Sequence, residues 1–159
     1  MQIDLLGPDA VEWRGVVYKT ILSSAESGGR LSIIDNVSRP DTGPPRHVHA
    51  DCDESFVVLS GEVLFDLAGE MRLCGPGETA FVPRGTEHSF RVIGDRPARM
   101  LTLFSPAGFE AFFAEMAEGE YRIPEDMPEI TRIGVEHHVT FTGPPLDAAQ
   151  TTRSEGEHS

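Results

Sequence analysis

His47 and His49 stand one residue apart in the run Gly43-Pro-Pro-Arg-His-Val-His, and Glu54 follows after four more residues. In an extended strand, side chains two positions apart project to the same face, so the two imidazoles share one wall. Two imidazoles and a carboxylate converging on that wall can bind a divalent metal through nitrogen and oxygen and leave positions open for a substrate. A histidine pair in a Pro-rich loop can equally be solvated and idle, so the reading needs a further ligand. Gly77-Glu-Thr-Ala-Phe-Val-Pro-Arg-Gly-Thr-Glu-His88 supplies one. Gly77 permits a tight turn, Pro83 with Gly85 forces another, and His88 opens the next extended run. If that run lies beside the one bearing His47 and His49, three imidazoles and one carboxylate can satisfy a six-coordinate first-row metal with two exchangeable positions. Such a donor set accepts Fe, Mn, Ni, Co, Cu or Zn, and affinity order alone does not choose among them.

The elements that must hold these residues read as short strands. Residues 1–7, Val11 to Ser23, and Leu31 to Val37 suit extended structure by their β-branched and aromatic content. Pro40, Gly43, Pro44 and Pro45 form the loop that delivers His47. Phe56 to Leu59 and Glu62 to Leu67 flank Ser60-Gly61 as a hairpin. Met71 to Leu73, Thr79 to Val82, His88 to Ile93 and Ala98 to Phe104 follow between Gly/Pro turns. Many short strands without intervening helices indicate an antiparallel sandwich or barrel. After Ser105 the period changes. Phe109, Phe112, Phe113 and Met116 recur at helical spacing within 107–118, with Ser105 as N-cap and Pro106 at the first helical position. This stripe is expected to pack on the outside of the barrel. A second helix is expected after 124–128, running to about Glu136, then a strand over Val139 to Thr142 and a disordered tail over 147–159.

Strand parity groups Glu54 with Phe56 and Val58, and His88 with Phe90 and Val92. With the ligands pointing inward, Phe56, Val58, Phe90 and Val92 would line a substrate pocket above the metal. Cys52 is expected to be a small loop residue rather than a soft ligand, and Cys74 forms no pair with it. His137 and His138 are adjacent and diverge on either helix or strand, which is poor geometry for one metal.

The chain has 159 residues, enough for one domain with a sizeable core. Its net charge of −13 argues against nucleic acid and anionic membranes as partners and favours solubility. No apolar run approaches the roughly 18 residues of a membrane span, and the N-terminus has no basic n-region. A reduced, cytoplasmic setting is expected, as is the absence of an attached DNA-binding domain.

Residues 47–61 and 77–88 resemble the two sequence motifs of the cupin superfamily. The first motif is matched through Gly61 and the second through His88, while Val92 stands where the family often has Asn. Gly43 to His49, Arg99-Met-Leu, Phe104 to Phe113 and Phe141-Thr-Gly-Pro-Pro-Leu146 further resemble small single-domain cupins related to quercetin 2,3-dioxygenase. The resemblance implies an all-β, double-stranded β-helix (jelly-roll) barrel with one or two C-terminal helices packed outside. It implies one domain over 1–146, with the barrel core at about 16–105 and a helical extension over 106–146. His47, His49, Glu54 and His88 become the ligands of one divalent transition metal per chain. The metal acts as a Lewis acid on a flat enolic or aromatic hydroxy-ketone, Glu54 doubles as proton acceptor, and dioxygen then attacks. A non-redox isomerase, epimerase or cyclase and a small-molecule-binding cupin without turnover are the alternatives. A homodimer is the expected assembly.

Overall fold

The computed structural model describes residues 6–149. In chain order these form β1 (Val11–Trp13), β2 (Val16–Leu22), α1 (Ser24–Ser27), β3 (Ser32–Ser38), β4 (Pro45–His49), β5 (Asp53–Ser60), β6 (Glu62–Leu67), β7 (Glu70–Cys74), β8 (Thr79–Val82), β9 (His88–Ile93), β10 (Ala98–Ser105), α2 (Glu110–Gly119), α3 (Met127–Glu136) and β11 (Val139–Pro145). A six-stranded sheet runs β1-β2-β3-β10-β5-β8, and a five-stranded sheet runs β11-β4-β9-β6-β7. The architecture is a mostly β jelly-roll barrel of two antiparallel sheets with C-terminal helices.

Alternation decides which residues fill the barrel. On β5, Glu54, Phe56 and Val58 are buried while their neighbours are less so, and on β10 Ala98, Met100, Thr102 and Phe104 behave alike. Phe56, Val58, Val63, Phe65, Val92 and Met100 close one part of the interior as a continuous apolar cluster. A second cluster joins Ile34 and Phe104 to Phe109, Phe112 and Met116 around α2 and to Ile130 and Ile133 of α3. Each phenylalanine buried there contributes about 2–3 kcal/mol.

Several expectations change. The strand expected over residues 1–7 falls largely outside the described residues, and Leu6 with Gly7 belongs to a turn. Leu6 packs on Val17 and Val37. The single strand expected over 11–23 is a hairpin, because Arg14 (φ 53°) and Gly15 (φ 78°) both take the left-handed conformation. The barrel sheet therefore begins at Val11 rather than about residue 16. Ser105 does not cap a helix. It is the last residue of β10, a cis peptide bond follows to Pro106, and α2 starts at Glu110 behind Phe109. The strand expected over Val139 to Thr142 runs on to Pro145 as β11 and joins the second sheet beside β4. The expected tail falls on 150–159, outside the described residues, whereas 147–149 are described.

The loop that delivers His47 is pinned to β9 through backbone bonds Asp41 N to Val92 O (2.9 Å) and Val92 N to Thr42 O (3.0 Å). Ser89 Oγ donates to Pro44 O at 2.7 Å. Gly43 lies so close that a Cβ would stand 1.8 Å from the Phe90 carbonyl oxygen. On the other face of β4, the Arg46 guanidinium pairs with the buried Asp66 of β6, which also accepts from Gly69 N at 2.9 Å.

Three substitutions test these ties. Gly43→Ala should lower unfolding free energy by about 3 kcal/mol, read by denaturant titration, because backbone cannot yield as a side chain could. Arg46→Met should cost about 3 kcal/mol by stranding a buried carboxylate, and adding Asp66→Leu should recover most of that loss.

Candidate metal centre

His47 and His49 project inward from β4, whose burial alternates along Pro45–His49. His88 opens β9, and the register places it directly opposite His47. Their rings are 4.2 Å apart between centroids, with His49 at 5.0 Å from His47 and 5.5 Å from His88. Glu54 does not share their wall. The chain crosses between sheets over residues 50–52, so Glu54 on β5 faces the three imidazoles from the opposite sheet. The crossing is tied down by Ala50 N to His138 O (3.0 Å) and Gly85 N to His49 O (2.8 Å).

The four residues are 8%, 2%, 3% and 1% exposed in chain order, too dry for an unpaired charge, and their ligand atoms lie within 4.8 Å of one another. His47 Nδ1 and His88 Nδ1 lie 2.8 Å from the carbonyls of Pro45 and Thr86. A proton on each Nδ1 completes those bonds and leaves both Nε2 lone pairs free. Glu54 Oε2 is 3.2 Å from His49 Nε2, and Oε1 is 3.4 Å from His88 Nε2, yet neither contact is aligned as a hydrogen bond. Both ring nitrogens of His49 and Nε2 of His88 are buried without partners. Orphaned polar atoms cost about 1–3 kcal/mol each, so His49 Nε2 and His88 Nε2 converging beside a carboxylate fit a cation.

Electrostatics agree with that fit. Burial, reinforced by His88 and His49, pushes His47 down to about 3, which keeps its imidazole neutral and able to ligate. Burial opposes ionisation of Glu54, but attraction from His49 and His88 outweighs it and holds the carboxyl well below its usual range. The remaining polar residues stand apart. Burial pushes the Cys52 thiol up to about 12, and Cys52 sits in the apolar cluster with Phe109. His137 pairs with Glu115 at 2.9 Å and His138 faces Asp51 at 3.8 Å, so neither joins the cluster.

A cavity of about 200 Å³ opens onto His47 and Glu54. Phe56 and Phe90 line it, as parity suggested. Val58 and Val92 do not, because both are wholly buried in the apolar cluster behind it. The stripe expected to pack on the outside of the barrel also lines this cavity through Phe109, Phe112 and Phe113. Phe109 meets the His49 ring edge-on at 4.4 Å. Trp13, Tyr18 and Phe141 complete the aromatic lining. Helical spacing marked the Phe stripe, but nothing in the order of residues placed Trp13 or Tyr18 near Glu54.

Residues 38–104 match the family described as Cupin domain. Quercetin 2,3-dioxygenase of Bacillus subtilis is 42% identical over 52 residues, which is 33% of this chain and 15% of that protein. Oxalate oxidase GF-3.8 of Triticum aestivum is 26% identical over 125 residues, 71% of this chain and 56% of that one. Polyketide synthase CurC of Streptomyces cyaneus is 29% identical over 94 residues, 58% of this chain and 61% of that one. The chain thus spans less than two thirds of the length of these curated relatives. Among solved structures, KdgF from Halomonas sp. superposes with TM-score 0.59 at 21% identity, covering 65% of this chain and 91% of that one. Ectoine synthase from P. lautus superposes with TM-score 0.57 at 15% identity, covering 88% and 85%. The matched segment holds all four residues of the cluster, and the two-sheet barrel has the fold of these neighbours.

Metal removal tests the centre. Protein purified without added metal should carry about one transition metal per chain by elemental analysis. Chelation should lower Tm, and restoring metal at about 100 times its Kd should return about 2.7 kcal/mol of stability. His88→Ala should abolish the metal-dependent part of that shift.

Proposed function

We propose that this chain is a metal-dependent cupin enzyme of quercetinase-like type, acting on a small, flat enolic or aromatic hydroxy-ketone. The observation that carries this reading is the dry three-nitrogen, one-oxygen cluster that meets an aromatic cavity only through His47 and Glu54. A divalent transition metal held by these four residues would supply Lewis acidity toward a substrate oxygen. The chain does the rest. Phe56, Phe90, Phe109 and Phe113 offer faces and edges to a flat substrate and exclude water. Glu54, ionised and open to the cavity, accepts the proton of the enol or hydroxyl. The volume of about 200 Å³ lies below the roughly 300–1,000 Å³ of pockets for drug-sized ligands, favouring a one-ring substrate over a three-ring flavonol.

A second reading is a non-redox isomerase or cyclase. It is favoured by Tyr18, whose phenol lines the same cavity and is pushed up by burial, so it stays a proton donor opposite Glu54. An acid and a base across one cavity suffice to move a proton without an oxidant.

Oxygen uptake with one-ring 1,2-dihydroxy and hydroxy-ketone substrates, in protein carrying its own metal, separates the two. The proposal expects uptake that falls about 10²–10⁴-fold in Glu54→Gln while metal content holds. Turnover without oxygen uptake would establish the second reading, and full activity in Glu54→Gln would remove Glu54 as the base.

A further inference from the structure

We infer that the cavity takes a substrate bearing a carboxylate, and that Arg14 in its lining is the residue that binds it. This deepens the proposed function by naming the substrate class of the same site. Arg14 and Trp13 line both the cavity and a shallow groove beside it. The guanidinium carbon stands 5.7 Å from the Trp13 ring centre.

The charge on Arg14 is uncommitted. The chain carries 26 acidic residues against 13 Lys and Arg, so a guanidinium without an acidic partner is unexpected by composition alone. Among the described residues, nonetheless, Arg14 makes no ion pair. Arg91, the other guanidinium lining the cavity, is occupied: it donates to Leu146 O at 2.9 Å and pairs with Asp41 at 3.1 Å. Glu54 is directed at the histidines rather than at Arg14.

The backbone at Arg14 points the same way. Trp13 pairs with Val16, so Arg14-Gly15 is a two-residue hairpin turn with both residues left-handed. Asn, Asp or Gly enter the first position of that turn with less strain than Arg. Turn chemistry therefore does not explain the residue. What the position does provide is a rigid base for a long side chain beside the cavity.

A polar wall continues inward from Arg14. Ser38 lines the cavity, is fully buried, and its Oγ has no partner. Asn36 lines it too, bonding through Nδ2 to Thr102 Oγ1 at 3.0 Å. With the Tyr18 phenol these give donors and acceptors for an oxygen-rich end of the substrate, while the phenylalanines hold its apolar body. A carboxylate suits a guanidinium because two parallel N–H···O bonds match its fork.

The test is calorimetric titration of the full chain, both metal-loaded and EDTA-treated, with benzoate against benzamide, 2-hydroxybenzoate against 2-hydroxybenzamide, and phenyl phosphate. Wild type should bind each acid at least about tenfold more tightly than its amide, the increment expected of one charge-assisted pair. That ratio should collapse toward one in Arg14→Asn and survive in part in Arg14→Lys. Tm of Arg14→Asn should equal or exceed that of wild type, since Asn suits the turn, which separates lost binding from lost folding. Metal content is measured independently, and the Arg14-dependent ratio should persist in EDTA-treated protein. A chain that retains no metal would therefore fail the proposed function while leaving this inference standing. Equal affinity for acid and amide, no binding of either acid, a ratio indifferent to Arg14→Asn, or Arg14-dependent binding of phenyl phosphate above both acids would overturn it.

Discussion

The register that sets His88 opposite His47, with Glu54 facing both from the other sheet, is the constraint on which the rest of the structure depends. A carboxylate removed from water costs several kcal/mol unless it is compensated. Here the compensating groups are imidazoles: burial keeps His47 neutral, whereas for His88 burial is outweighed by Glu54, which raises the ring above its usual value. A cation would compensate such a cluster, and the unpartnered Nε2 atoms of His49 and His88 fit that arrangement. The surrounding strands hold the donors at that separation. The bond from Gly85 N to His49 O, the pinning of the 41–44 loop to β9 and the buried Arg46–Asp66 pair all fix β4 against its neighbours.

The aromatic layer above the cluster links stability to specificity. Phe109 packs on the His49 ring, stacks with Phe112 at 5.0 Å and contributes to the apolar cluster that seats α2. The same residues line the cavity, so the helix that covers the barrel also shapes what can enter it. Trp13 ties this layer to the opposite rim, its Nε1 donating to Tyr121 O at 2.7 Å. The cavity is thus lined largely from the first hairpin and the C-terminal segment, whereas the His/Glu cluster comes from the middle of the chain.

Much of this was legible before any coordinates. His-x-His, Glu54 and the Gly77–His88 segment carry the ligand set in their spacing, because turns at Gly61, Pro83 and Gly85 leave few ways to arrange the strands. Phe56 and Phe90 followed from parity alone. Parity failed at Val58 and Val92 because it assigns a face but not a depth, and deeper along the strands the interior is filled. The hairpin at Arg14-Gly15 was hidden because Arg is a poor marker of a left-handed turn. The capping box of Ser23 and Glu26 starts α1, whose four residues are too few to show a helical period.

What the sequence determined by itself is local: which residues alternate, where the chain must turn, and which side chains can ligate. These depend on period and on backbone permissiveness, both properties of a few neighbouring residues. Only the tertiary structure decided that Glu54 approaches from the opposite sheet, that the Phe stripe lines the cavity as well as packing, and that Arg14 lines the same cavity with no ion pair among the described residues. Each of those facts joins residues far apart along the chain, or separated by a crossing between sheets. Their proximity follows from how two sheets close on each other, which no local pattern encodes.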